Sequence, residues 1–415
     1  MTDRFVISPV GQLVTLNPEF ITDENPLGVI ENGAVAIHNG VIEYLGPAAG
    51  LGCKYPQWEG FDASDLVLMP GFIDSHTHLV FGGDRSAEFE MKVRGVPYQE
   101  IAKQGGGILA TVTATRAASP EELVAAALPR LEEALRWGVT TMEVKSGYGL
   151  DTETELKQLE VIERLNDLQP VELVPTFMGA HEFPPEYRDD RDGYVDLIIE
   201  EMIPAVERQG IAQFIDVFCE EGWFTPEQTR RILAAGVEAG LYPRLHADEF
   251  APSGACDIAA EFEAASADHI MAATDDGIRV MAEAGVIGTI LPGTTLFLGK
   301  HSYARVRDMV ALGLDIAVAT DFNPGSCMSQ NLPLAAQIAC TQAKLLPHEA
   351  VAGITRNAAR SLRLEDRLGS LAEGREADLV GLRIPSWQTL LYHFGVNHTE
   401  LVFKHGTLVY ERCKG

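Results

Sequence analysis

Basic residues are scarce in this chain. Lys and Arg number 32 against 60 Asp and Glu, a formal charge of -28. Such a surface repels nucleic acid and anionic membranes, which excludes the polyanion-binding classes and a membrane partner. An anionic ligand then needs an Arg or Lys of its own nearby. Cysteine is also sparse and scattered: Cys53, Cys219, Cys256, Cys327, Cys340 and Cys413 include no C-x-x-C pair. That argues against a disulfide frame and for reduced thiols in a cytosolic protein. Long apolar runs are missing as well. The longest, Val286 to Leu298, is broken by Gly288, Pro292 and Gly293 and is too short to span a bilayer. Residues Met1 to Leu16 lack a basic stretch followed by an apolar one, so no secretory leader is expected. Neither a solenoid repeat nor a low-complexity linker interrupts the chain.

What is present is ordinary globular composition over 415 residues, 46% hydrophobic and 22% charged, enough for one barrel-sized domain and a smaller one. Both ends are strand-rich. Ala34 to Leu45 reads as a hairpin turned at Asn39-Gly40, Ala377 to Leu382 as a strand, and Glu400 to Tyr410 as a second hairpin. The middle alternates apolar strands (66–76, 138–145, 171–178, 211–218, 241–246, 266–270, 286–291 and 314–320) with helices. Nearly continuous apolar runs such as Leu314 to Ala319 suit parallel strands covered on both faces. Ser119-Pro120-Glu121-Glu122 and Thr225-Pro226-Glu227-Gln228 are capping boxes with Pro at the first helical position, and Leu156, Leu159, Ile162 and Leu165 repeat at helical spacing within 152–168. The expected class is α/β: a (β/α)8 TIM barrel over 67–362, with a small composite β-sandwich built from 1–66 and 363–415.

The chemistry begins at His76-Thr77-His78, which closes an apolar run from Leu66. Side chains two apart in a strand point the same way, so both imidazoles leave one strand end together. A single H-x-H pair is weak, because a core or surface histidine is the common default. Three further signals close other apolar segments: His246-Ala247-Asp248-Glu249, Asp268-His269 and Thr320-Asp321. In such barrels functional residues sit at the C-terminal strand ends, and several strand ends supplying His and Asp is what a single-metal hydrolase needs. Glu249, three past His246, is placed to shuttle a proton without binding the ion. Asp248 reads as a solvated loop acid. The fourth strand has no Lys to bridge two ions, which favours a one-ion site.

Together with Gly369-Ser370-Leu371 and the run from Gly374 to Val380, these residues resemble the amidohydrolase superfamily over nearly the whole chain. Finer motifs resemble one branch of it: Pro70 to Arg85, Glu143 to Leu150, Gly179 to Pro184, His246 to Phe250, and Thr320 to Ser326. The resemblance implies hydrolytic opening of a small anionic cyclic amide, 4-imidazolone-5-propanoate, to N-formimidoyl-L-glutamate in histidine degradation. It also implies one divalent metal, zinc or iron, a cytosolic setting and a homodimer. By motif, His76, His78, His246 and Asp321 would bind the metal. Arg85, Tyr148, His181, Glu249, Asn323, Gly325 and Ser326 would contact substrate. Glu249, His269 and Asp321 would form the catalytic set, with His269 orienting water or donating to the oxyanion. For Arg85 a surface salt bridge, and for Tyr148 a turn anchor, are the competing readings. Two rival functions stand beside this one: a purine or pyrimidine deaminase using the same ligand set, and a non-catalytic scaffold on the same fold.

Overall fold

The computed structural model describes residues 3–52, 54–96, 100 and 105–413. Four strands come first: β1 (Arg4–Val14), β2 (Val29–His38), β3 (Val41–Pro47) and β4 (Glu59–Pro70). Eight follow in the middle: β5 (Phe72–Asp74), β6 (Val139–Lys145), β7 (Glu172–Ala180), β8 (Phe214–Cys219), β9 (Tyr242–Ala247), β10 (Ser266–His269), β11 (Ile287–Ile290) and β12 (Ile316–Val318). Three close the chain: β13 (Leu379–Leu382), β14 (Thr399–Lys404) and β15 (Thr407–Glu411).

The terminal strands form one seven-stranded sheet in the order β15-β14-β13-β4-β1-β2-β3. Phe5 on β1 stacks on Phe403 of β14 at 5.7 Å, although the two strands are three places apart. A flat sheet would hold them about 14 Å apart. The sheet therefore folds over, and its inner faces bury Ile7, Val35, Ile37, Leu379 and Leu401 between them. The turns of the two hairpins use the left-handed region, at Asn39 and Gly40 and at His405 and Gly406.

The middle strands run in chain order as a parallel sheet from β5 to β12. The first and last strands meet just past their ends, where His78 N donates to the Phe322 carbonyl (2.9 Å) and Asp321 N to that of His76 (3.1 Å). Helices between strands start where the capping boxes lie. The Ser119 and Thr225 hydroxyls each cap their helix by accepting from the N–H of Glu122 and Gln228, whose side chains in turn accept from the Ser119 and Thr225 backbone N–H groups. Helix Thr152–Leu168 is capped one residue earlier, by Asp151, and buries Leu159, Ile162 and Leu165 against the barrel. Among the described residues five cysteines carry free thiols, and no helix is long and apolar enough to cross a membrane. Cys53 lies outside the described residues.

One expected element is corrected. The apolar run 66–76 is not a single barrel strand. Through Pro70 it belongs to β4, pairing with β13 in the terminal sheet, so β4 also crosses the domain boundary expected after residue 66. Only Phe72–Asp74 joins the barrel. Gly71 makes the transfer: its N–H donates to Asp378 at 2.9 Å, and a Cβ there would lie 2.3 Å from Thr140 Oγ1. Both sheets bury their segment, so hydropathy does not mark the switch.

Candidate active site

The C-terminal ends of the barrel strands carry imidazoles and carboxylates to one point. Asp74 accepts from the Thr320 N–H (3.0 Å) and hydroxyl (2.6 Å), tying the end of β5 to the segment after β12. Thr77 is fixed between His76 and His78 by hydrogen bonds to Glu143. His76 Nε2 and His78 Nε2 then lie 3.6 and 3.7 Å from Asp321 Oδ1. The His76 ring is 4.6 Å from that of His246, and the His246 ring 5.2 Å from that of His269. Two triplets sharing His76 have ligand atoms within 4.8 Å of one another: His76, His78 and Asp321, and His76, His246 and His269. Asp248, His269 and Asp321 all adopt positive φ, strain that clusters at this end of the barrel.

Beneath the imidazoles lies a fully buried charge network. His76 Nδ1–H donates to Asp268 at 2.7 Å, and His246 Nδ1–H to Asp216 at 2.9 Å. Each carboxylate fixes a tautomer and aims the other nitrogen at the site. His76 Nε2 is buried with no hydrogen-bond partner, and it faces the Asp321 carboxylate. Lys145 Nζ sits 2.8 Å from both Glu143 and Asp216 and 4.0 Å from Asp268, which also receives Arg244 Nη2 at 3.1 Å. Burial works against the Lys145 ammonium, but Asp216 and Glu143 outweigh it and hold its pKa above the ordinary value. Burial also raises the Asp216 carboxyl, and His246 and Lys145 more than reverse this, so it stays ionised. Burial, then Lys145, keeps His76 neutral; burial, then His181, does so for His78. Burial works against the His246 imidazolium, but Asp216 outweighs it and raises its pKa. The neutral His76 and His78, with the orphaned His76 ring nitrogen facing Asp321, are donors suited to one divalent cation.

Above this floor opens a cavity of about 620 Å³, lined by every residue expected to contact substrate: Arg85, Tyr148, His181, Glu249, Asn323, Gly325 and Ser326. Burial raises the Glu249 carboxyl to about 7, with Lys300 pulling it down and Asp321 pushing it up. Its Oε2 is 3.7 Å from His269 Nδ1 and its Oε1 3.8 Å from Lys300 Nζ. Burial likewise raises Asp321 to about 6, against a hydrogen bond from Thr294. His181 donates from Nδ1 to the Gly147 carbonyl at 2.9 Å, and burial lowers its pKa to about 3, so its Nε2 is an acceptor.

Arg85 is a buried partner, not a surface one. Its Nε and Nη2 form a bidentate pair with Glu88 at 3.0 and 2.9 Å. Its Nη1 reaches Gly325, where a Cβ would approach to 2.5 Å, so the glycine makes room for it. Lys92 joins the same pole by donating to the Gly325 carbonyl at 2.6 Å. The Asn323 side chain is spent on its own loop, accepting from the N–H groups of Gly325 (2.8 Å) and Ser326 (2.7 Å). Asp248 is corrected: it is a buried loop clamp, not a solvated acid, and accepts from the Ser253 N–H (2.8 Å) and hydroxyl (2.7 Å). The roles of Asp216, Asp268, Lys145 and Arg244 are not legible in the sequence, although Asp268 stands beside His269 in one of the strand-end signals. Charges within apolar strands were the available signal, but pairing them with a histidine needs the register between strands.

Comparison with known proteins agrees with this geometry. The profile of the Amidohydrolase family matches residues 100–389. Imidazolonepropionase of Geobacillus thermodenitrificans (strain NG80-2) is 49% identical over 394 residues, covering 94% of this chain and 93% of that protein. Imidazolonepropionase of Brevibacillus brevis (strain 47 / JCM 6285 / NBRC 100599) is 46% identical and covers 99% of this chain and 98% of its own. Among solved structures, an adenosine deaminase from Xanthomonas campestris with bound zinc superposes with a TM-score of 0.72 at 19% identity, covering 99% of this chain and 94% of that one. A triazine hydrolase variant gives 0.73 at 18% identity, covering 99% and 95%. At such identities these two structures speak for the fold alone. With its parallel barrel, its buried imidazole–carboxylate set and these relatives, the chain belongs to the amidohydrolase family and, within it, to the imidazolonepropionases.

Proposed function

We propose that this protein hydrolyses the ring amide of 4-imidazolone-5-propanoate to N-formimidoyl-L-glutamate. Beyond the family relationship, one observation carries the reading. Four buried side chains, His76, His78, His246 and Asp321, converge below a carboxyl, that of Glu249, poised near neutrality. Those four residues would hold one divalent cation, and their imidazole and carboxylate donors suit zinc and iron alike. Such an ion supplies Lewis acidity, polarising an amide carbonyl and making water a nucleophile at neutral pH.

The remaining roles belong to side chains. Glu249, ionised, takes the proton of the attacking water and returns it to the ring nitrogen as the C–N bond breaks. His269, held neutral by burial and by His246, lies beside Glu249 and orients the water or donates to the developing oxyanion. The His181 Nε2 lone pair accepts from a ring N–H, and Tyr148 packs beside it, ring to ring at 5.4 Å. The propanoate goes to the cationic pole of Arg85 Nη1 and Lys92, next to the Asn323–Ser326 loop. This pole favours a carboxylate-bearing ring over a neutral purine or pyrimidine. A cytosolic homodimer accompanies the reading.

The experiment is metal analysis and assay of Asp321→Ala and His246→Ala. Both are expected to lose bound ion and turnover together. A stoichiometric ion with normal turnover in either variant contradicts the site.

A further inference from the structure

Glu182 lies within the Gly179 to Pro184 motif, yet the roles above leave it unused. It is largely buried at the cavity wall, and burial raises its pKa. Its Oε2 accepts from the indole Nε1–H of Trp223 at 3.1 Å, and its Oε1 from the Phe183 N–H at 2.9 Å. Trp223 lies in the loop after β8, and its ring stands 5.0 Å from Phe218 and 5.7 Å from Phe250. Phe218 in turn is 5.4 Å from the His246 ring. All these rings line the same cavity as Arg85 and Lys92. A second buried carboxylate, Glu220, braces the wall by accepting from the N–H groups of Phe250 (3.0 Å) and Ala251 (3.2 Å).

A purely apolar cavity wall would need no oriented indole N–H. Here a buried carboxylate is retained to hold that N–H, which fixes the plane of the ring. A fixed π-surface in the cavity wall, one ring removed from His246 through Phe218, suits a flat, conjugated ring, since aromatic faces reward planar partners beyond the area buried. We propose that Trp223 is a specificity-determining residue, its indole held by Glu182 as the wall against which the substrate's planar five-membered ring lies. The proposal rests on the hydrolytic reading above.

The test has two arms. In steady-state assays of the zinc-loaded protein with 4-imidazolone-5-propanoate, Trp223→Leu is expected to raise KM about tenfold, with kcat within about threefold of the parent. Trp223→Phe keeps a flat ring and is expected to fall between the two. Glu182→Leu frees the indole and is expected to approach the Trp223→Leu value. In the second arm, tryptophan emission is titrated with imidazole-4-propanoate, a planar ring with no amide to cleave. The other tryptophans, Trp58, Trp137 and Trp387, do not line the cavity. Saturable quenching is expected in the parent and not in Trp223→Phe. A Trp223→Leu KM within twofold of the parent, or quenching retained in Trp223→Phe, overturns the proposal. If the parent does not hydrolyse the imidazolone, the hydrolytic reading has failed instead, and the emission arm still decides whether Trp223 meets a flat ring.

Discussion

Glu249 shows at residue scale how placement sets chemistry. Burial alone would hold a carboxyl protonated, and Lys300 offsets part of that, leaving a pKa of about 7. A general base must be ionised to act, so kcat/KM is expected to rise with pH through about 7 and then level off. The sign follows from the raised pKa: acid protonates the base and removes activity. Glu249→Gln is expected to keep its metal, retain part of substrate binding, lower kcat by about 10²–10⁴, and lose that acid limb. Metal loss would make Glu249 a ligand, and a near-normal kcat would hand proton transfer to Asp321 or His269. Arg85 has a smaller part than a free guanidinium would, because two of its donors already face Glu88. Arg85→Ala is expected to raise KM by about 10- to 100-fold, the scale of one charged hydrogen bond. A change below about threefold would leave Arg85 as the structural partner of Glu88. The histidines and Asp321 were legible in the sequence because each closes an apolar run. Asp216 and Lys145 were not, because their meaning lies in contacts between strands.

At the scale of elements, the transfer from β4 to β5 aims the His76–His78 pair. The strand that ends the terminal sheet at Pro70 turns at Gly71 and enters the barrel two residues before Asp74 is reached. The glycine is required by contact with Thr140, not by its φ angle. Gly71→Ala is therefore expected to destabilise by about 1–3 kcal/mol as overpacking, read as a lower thermal midpoint, with Thr140→Ala restoring part of it. A Gly71→Ala protein as stable as the parent would mean that the β4–β5 junction is loosely packed. Seven of the eight barrel segments, β6 to β12, were legible from apolar patterning, and helix starts from Ser119 and Thr225. The junction was missed because one uninterrupted apolar run feeds two sheets.

Across the whole molecule, both chain ends close one folded-over sheet, and β4 at its centre runs directly into the barrel. The pairing of Phe5 with Phe403 joins residues from opposite ends of the chain. Strand-rich termini foretold a shared domain, but the single continuous sheet needed the pairing of β4 with both β1 and β13. The charge of -28 leaves the cavity's own cations, Arg85, Lys92 and Lys300, as the local attraction for an anionic substrate. The central claim is that this cavity opens a carboxylate-bearing imidazolone with one bound ion. It is tested most directly by incubating the zinc-loaded protein with 4-imidazolone-5-propanoate and following the products by mass spectrometry, beside a sample stripped of metal. The account predicts N-formimidoyl-L-glutamate, heavier than the substrate by one water, in the loaded sample and a rate near background in the stripped one. No product from the loaded protein, or equal rates in both samples, would contradict it.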